Sequence, residues 1–340
     1  MKYSSRFFLY APLALFLILA VGAGVTWWRA ANALSAKLDA LNGHAVAGMT
    51  LSFKTKSVSG FPFNLDAVLN DVTITVETPH GSSSWKAEKF ALHALTYGRE
   101  QIIFEAAGHQ QANWIDLEGH AHSLPFETGQ LHGSAILGEQ GLSRVDIDCV
   151  GFGSPALTAA RVQLHARVAP NGATIEIAAG ADAVRLSPPL TGALGSDIKQ
   201  VRLDSAFLPA KPFEALRAGR GGWTAALEDW RRGGGHFDIA SLQIEWTGVS
   251  AMGKGSLTLD DKRFVTGLID FKIAGIERLI DRARRTGMNG DSFRGFVAAL
   301  LQRAAKGGTN EAGQLGAVVM FNAGIVSIGD VPATTEEPLY

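Results

Sequence analysis

Trp114, Asp116, Glu118, His120 and His122 recur at every second position. On an extended strand they would share one face. Two imidazoles beside two carboxylates are a donor set for zinc or another divalent ion. Against this stands a plain solvated strand face, with Ile115, Leu117 and Ala121 turned inward. Ligand spacing alone specifies no closed geometry, so the plain face is the better reading. His93, His109 and His132 lie nearby in sequence and could add ligands only if the fold gathers them.

Other chemistries have less support. Gly81-Ser82-Ser83-Ser84 and Gly153-Ser154-Pro155 are turn compositions, and no Gly-x-Ser-x-Gly elbow is present. Gly253-Lys254-Gly255-Ser256 lacks the glycine spacing of a phosphate loop. The single cysteine, Cys149, alternates with charged residues and reads as a small buried hydrophobe. With a net charge of -1, the chain lacks the basic excess a nucleic-acid binder needs. No cofactor motif is found.

These residues must be positioned by what surrounds them, beginning with a long apolar segment. No charge falls between Arg6 and Arg29, and the run from Phe7 to Trp28 covers 22 residues. At ~1.5 Å per residue it is about 33 Å long, enough to span a hydrocarbon core. Trp27 and Trp28 close it where aromatic belts sit, while Lys2 and Arg6 precede it. The positive-inside rule then places the N-terminus in the cytoplasm and the remainder outside. The rival is a cleaved signal peptide with Ala31-Asn32-Ala33 as its cleavage site. The length of the apolar run and the bulky Trp27-Trp28-Arg29 approach favour a retained single-pass signal-anchor. A buried core helix fits such an uninterrupted run poorly.

Beyond the run, helical spacing of Ala33, Leu34, Leu38 and Leu41 predicts a stalk ending at Asn42-Gly43. Period-two alternation then takes over: Val72, Ile74 and Val76; Val145, Ile147 and Cys149; Val162, Leu164, Ala166 and Val168. Pro170-Asn171-Gly172 and similar turns separate these runs, as in an antiparallel meander. Residues 212–232 read helical, interrupted at Gly219 to Gly222 and stopped by Gly233-Gly234-Gly235. Helical spacing also covers 276–285 and 292–305. Arg278, Arg282, Arg284 and Arg285 make the first of these basic. Interleaved Glu277 and Asp281 favour a solvated face over a contact with anionic headgroups. The expected class is mainly β (α+β): one transmembrane helix, then large twisted antiparallel sheets with a few packing helices. The expected order is cytoplasmic 1–6, transmembrane 7–28, stalk 29–45, β modules 46–187 and 188–330, and a mobile tail 331–340.

One motif stands apart: Gly60-Phe61-Pro62-Phe63-Asn64-Leu65. Pro62 removes a backbone donor and steers Phe61 from helical geometry, so two phenyl rings flank a bend. A packed corner is the structural reading; an apolar lip (Phe61, Pro62, Phe63) on a ligand groove is the functional one. Behind an N-terminal anchor, with Trp246, Gly253-Lys254-Gly255, Asp260 and the stretch Val326 to Gly329 before a prolyl tail, this motif resembles domain of unknown function 2125, an uncharacterised alphaproteobacterial family. The resemblance implies location and architecture rather than chemistry. More loosely, residues 237–273 resemble the terminal strands of AsmA-like envelope proteins, whose apolar groove is thought to handle lipids.

The function these features favour is a non-enzymatic inner-membrane protein whose periplasmic body binds an apolar ligand, a membrane lipid. The alternative is a scaffold that pairs with an envelope protein partner. A metal-dependent hydrolase built on His120 and His122 comes last.

Overall fold

The computed structural model describes residues 5–46, 48–78, 81–96, 100–116, 119–188, 195–275, 314–329 and 331–340. The segments of helical spacing at 276–285 and 292–305, with their arginines, and the candidate donor Glu118 lie outside the described residues.

The chain opens with helix α1, Ser5–Leu41. Strands follow as β1 (Ala45–Val46), β2 (Met49–Ser52), β3 (Thr55–Ser59), β4 (Asn64–Thr78), β5 (Gly81–Leu95) and β6 (Gln101–Ile115). Next come β7 (Ala121–Gly138), β8 (Gly141–Gly153), β9 (Leu157–Val168), β10 (Ile175–Leu186) and β11 (Asp197–Leu208). A 3-10 turn at Lys211–Phe213 leads into α2 (Glu214–Arg217) and α3 (Trp223–Arg232). Then β12 (His236–Trp246), β13 (Val249–Leu259), β14 (Val265–Ala274), β15 (Leu315–Asn322), β16 (Ile325–Ile328) and β17 (Val331–Thr335) complete the order.

All 17 strands among the described residues belong to one antiparallel sheet. From β4 to β17 each strand pairs with the next in sequence. At the starting edge β2 and β3 pair with the two halves of β4, and β1 pairs with β2. The ladder runs through the expected boundary at 187/188, because β10 and β11 pair from Ile175↔Phe207 to Arg185↔Asp197. The tail expected to be mobile is instead built in. It forms β17, Leu339 N donates to Arg263 O at 3.0 Å, and Tyr340 Oη donates to Glu228 Oε2 at 2.8 Å.

A crease crosses β4 to β7. On β4 the apolar phase runs Leu65, Ala67, Leu69 and then shifts to Val72, Ile74, Val76. Asp71 absorbs the slip with φ 52°, a left-handed conformation that Asp tolerates. Register shifts at Ala87/Lys89 and Ala106/Gln110 continue the line into β6 and β7. Bulges add local twist, and here they help the sheet curl so that distant parts of one apolar face meet.

Among the described residues, two helices cover that face. The C-terminal end of α1 buries Leu38 against Ala67, Leu69 and Val72, with Leu34, Phe53, Phe90 and Leu92 around them. Asn42, just past the last turn, clamps the helix end: its side chain exchanges hydrogen bonds with Phe53 N and O at 3.0 and 3.2 Å. Far along the sheet, α3 buries Leu227 and Trp230 with Phe213 and Leu259, against Phe207, Phe237 and Val265. The apolar stretch of α1 that could cross a membrane has none of its window buried in the protein, so it is no core helix.

Candidate functional site

An apolar groove lies between distant strands of the curled sheet. One wall comes from Val76, Ser83 and Trp114, on β4 to β6; the other from Phe207, Phe237, Leu257, Leu259 and Val265, on β11 to β14. Trp223, Leu227 and Trp230 of α3 form the floor, and Leu339 and Tyr340 flank the mouth. The cavity is about 500 Å³. Trp230 is nearly fully buried and donates its indole N–H to Leu208 O at 2.9 Å, so the floor is rigid. Trp223, Trp114 and Leu339 remain partly exposed, 50%, 39% and 51%, and present apolar surface to whatever enters.

A charged network gathers around Tyr340. Glu228 binds Arg231 and Arg232 at 2.9 and 2.7 Å and accepts from Tyr340. The Arg231 hydrogen bond, then that of Tyr340, holds its carboxyl far below the usual range. Burial and the bond to Glu228 push the Tyr340 phenol up, and Arg263 lies over its ring at 5.1 Å. This network ties the tail to α3.

The five-residue metal candidate takes a different shape from the strand face expected for it. Asp116 lies just past the end of β6, His120 just before β7, and Gly119 takes φ 86° between them. The histidines therefore face Asp116 across a hairpin turn, and His122 pairs opposite Trp114. Asp116 Oδ2 lies 2.7 Å from His122 Nε2 and 3.4 Å from His120 Nδ1, and Oδ1 accepts from His120 N at 2.7 Å. The His122 hydrogen bond, foremost, lowers the Asp116 carboxyl to about 2. His122 also stacks on Trp114 with centroids 5.3 Å apart. The arrangement ties a turn and steadies one groove wall. Among the described residues, no group of three or more His, Cys, Asp or Glu side chains is arranged to hold a metal.

The other histidines are not gathered there. His93 pairs with Asp66 at 2.8 Å, His109 with Glu127 at 2.8 Å, and His132 with Glu105 at 3.6 Å. They belong to a charged lattice that continues over β8 to β12. There Asp148 holds Arg161 at 2.7 Å, and Asp146 holds Arg144 and His165 at 2.7 Å each. Partial burial pushes Asp146 up, but bonds from Arg144 and His165 outweigh it and keep the carboxyl low. Proton transfer near neutral pH needs the opposite tuning. Cys149 is buried on the apolar face, and burial raises its thiol above the ordinary value. A raised thiol stays protonated and is a poor nucleophile.

Phe61, Pro62 and Phe63 do not line the groove. They form a turn at the start of β4, and Phe61 and Phe63 are 60% and 62% exposed, so the turn is not a packed corner either. It sits against α1. Trp27 Nε1 donates to Asn64 O at 2.8 Å, and Trp27 meets Phe61 edge to face at 5.6 Å. Trp28 is exposed; α1 includes Phe7, whose side chain is outside the described set.

The model of an uncharacterized protein family conserved in bacteria, DUF2125, matches residues 27–335. The chain belongs to DUF2125. The match begins at Trp27, so the DUF2125 region takes in the helix end that meets Phe61 and every groove residue except Leu339 and Tyr340. No curated protein and no solved structure matches the chain. The groove itself had no sequence signal, since its walls are separated by more than 90 residues.

Proposed function

We propose that this DUF2125 protein is held in a bacterial inner membrane by α1 and that its periplasmic body binds a lipid acyl chain without catalysing a reaction. The groove carries this reading: an apolar cavity of about 500 Å³ with three tryptophans and two phenylalanines on its walls. Each methylene moved from water into such a site gains ~0.8 kcal/mol, so one chain supplies substantial affinity. The contacts of Trp27 with Asn64 and Phe61 favour a retained helix, because cleavage after Ala33 would remove a residue built into the body.

A scaffold that pairs through its sheet edges has less support. The strands at those edges are 2 to 5 residues long, and β17 contains Pro332. Short edges with proline resist strand addition.

The test is native mass spectrometry of the full chain released from the membrane in a mild detergent. Retained phospholipid is expected. Ser83→Trp, which fills the groove from β5, should strip that lipid while leaving the circular dichroism spectrum unchanged. A wild-type chain with no bound lipid refutes the reading.

A further inference from the structure

The turn at Gly60–Asn64 lies beside α1 below the end of its apolar run. A methyl group placed on Gly24 would stand 3.9 Å from the Phe61 ring, and Trp27 holds that ring and the Asn64 carbonyl. Gly24 and Trp27 both precede Arg29, the first charge after the run. At ~1.5 Å per residue, the contact is about 3 to 8 Å on the membrane side of Arg29. If α1 spans a bilayer, as proposed above, this level is inside it.

The turn suits that place. It carries no charged side chain from Gly60 to Asn64. It is also rigid. Asn64 N donates to Gly60 O at 2.8 Å, and Thr96 donates to Phe63 O through both its amide and its hydroxyl at 3.0 Å. Gly60 takes φ 101°, and a β-carbon there would lie 2.6 Å from Asp66 Oδ2 and 2.7 Å from Asn64 O, so only glycine fits. The result is a preformed loop that exposes two phenyl rings, with Leu95 on the adjoining strand end 42% exposed. In water this arrangement leaves apolar surface unburied, whereas at an interface the same rings are solvated by lipid.

We propose that Phe61 and Phe63 insert into the outer leaflet of the membrane beside α1. This second point of attachment makes α1 and the sheet one rigid unit and fixes the tilt of the body on the bilayer. The occupant is the acyl and glycerol region of the bilayer, indicated by the continuity of the turn with the exposed apolar helix it touches. The inference rests on α1 being a membrane anchor.

The experiment places a nitroxide at Phe63→Cys in the full chain, reconstituted into vesicles of phosphatidylethanolamine and phosphatidylglycerol. Cys149 is buried, so the unsubstituted chain serves as the blank. Accessibility to oxygen, which partitions into lipid, is compared with accessibility to a water-soluble nickel chelate. Phe16→Cys, on a 66% exposed residue inside the apolar run, reports the helix; Met252→Cys, 58% exposed on β13, reports the body. The expected result is an oxygen-to-nickel ratio at 63 several-fold above that at 252 and close to that at 16. A ratio at 63 matching 252, with 16 in lipid, overturns the insertion and leaves the anchor standing. Low accessibility to both probes at 63 also overturns it, since that indicates burial against protein. An aqueous ratio at 16 removes the anchor and the insertion together.

Discussion

The same apolar sheet face is covered by a helix in two places, with opposite results. Under α1, Leu38 fits between Ala67, Leu69 and Val72, and those three strand residues are 0 to 1% exposed. Under α3, Trp230 and Phe213 are just as buried, yet Trp223 and Trp114 beside them are not, and a cavity of about 500 Å³ remains. The small Ala67 on β4 leaves room for Leu38 of α1, whereas under α3 the packing is between large rings, Phe207, Phe213, Phe237 and Trp230. Large side chains on both walls of a closing sheet produce a groove rather than a sealed core. We read the α1 contact as structure and the α3 contact as a site.

That contrast can be tested by substitution. The largest effect should come from the residues that are closed in at both places. Trp230→Ala and Leu69→Ala should each destabilise by about 2–5 kcal/mol, seen as a lower midpoint in chemical denaturation. If Trp230→Ala is nearly neutral, the floor under α3 is not a core and the groove loses its rigid base. Trp223→Ala should behave differently, costing under about 1 kcal/mol as an exposed residue. It should nonetheless reduce the lipid retained on purification. A Trp223→Ala chain that keeps all of its lipid would place the ligand elsewhere.

The smallest effect concerns the hairpin that carries Trp114. The Asp116 carboxyl is lowered from 3.8 to about 2 in the folded state. The stabilisation from its bonds to His122 and His120 is therefore complete above about pH 4 and fades as the pH falls towards 2. The protection factors of the His120 to His122 amides, with the intrinsic pH dependence of exchange divided out, should fall over that window in the native chain. With Asp116→Asn, exchange should already be fast at neutral pH and show no such step. An unchanged rate in the variant would mean that the turn is held by the strand ladder alone.

Much of this architecture is legible along the chain. The alternation of β9, the split between α2 and α3 at Gly219 to Gly222, and the stop after Arg232 all follow from local periodicity and glycine placement. The membrane-length helix is equally local, although its composition also fits a signal sequence. The phase slip at Asp71 was harder to read, because the two halves of β4 look like separate short strands until a left-handed residue is allowed between them. The hairpin at Asp116 departs from the single strand that alternate spacing suggests, and Gly119, at φ 86°, is its local cue.

What the residues determined alone is local: a greasy helix flanked by charge, strands with one apolar and one charged face, and turns rich in glycine. These follow because backbone preference and hydrophobic period act over a few residues. Only the tertiary structure decided that the strands form a single curled sheet, that Phe61 lies against Trp27, and that Trp114 and Trp230 line the same groove. Those contacts join residues 34 to more than 100 positions apart, and they depend on how bulges, twist and side-chain volume add up along seventeen strands.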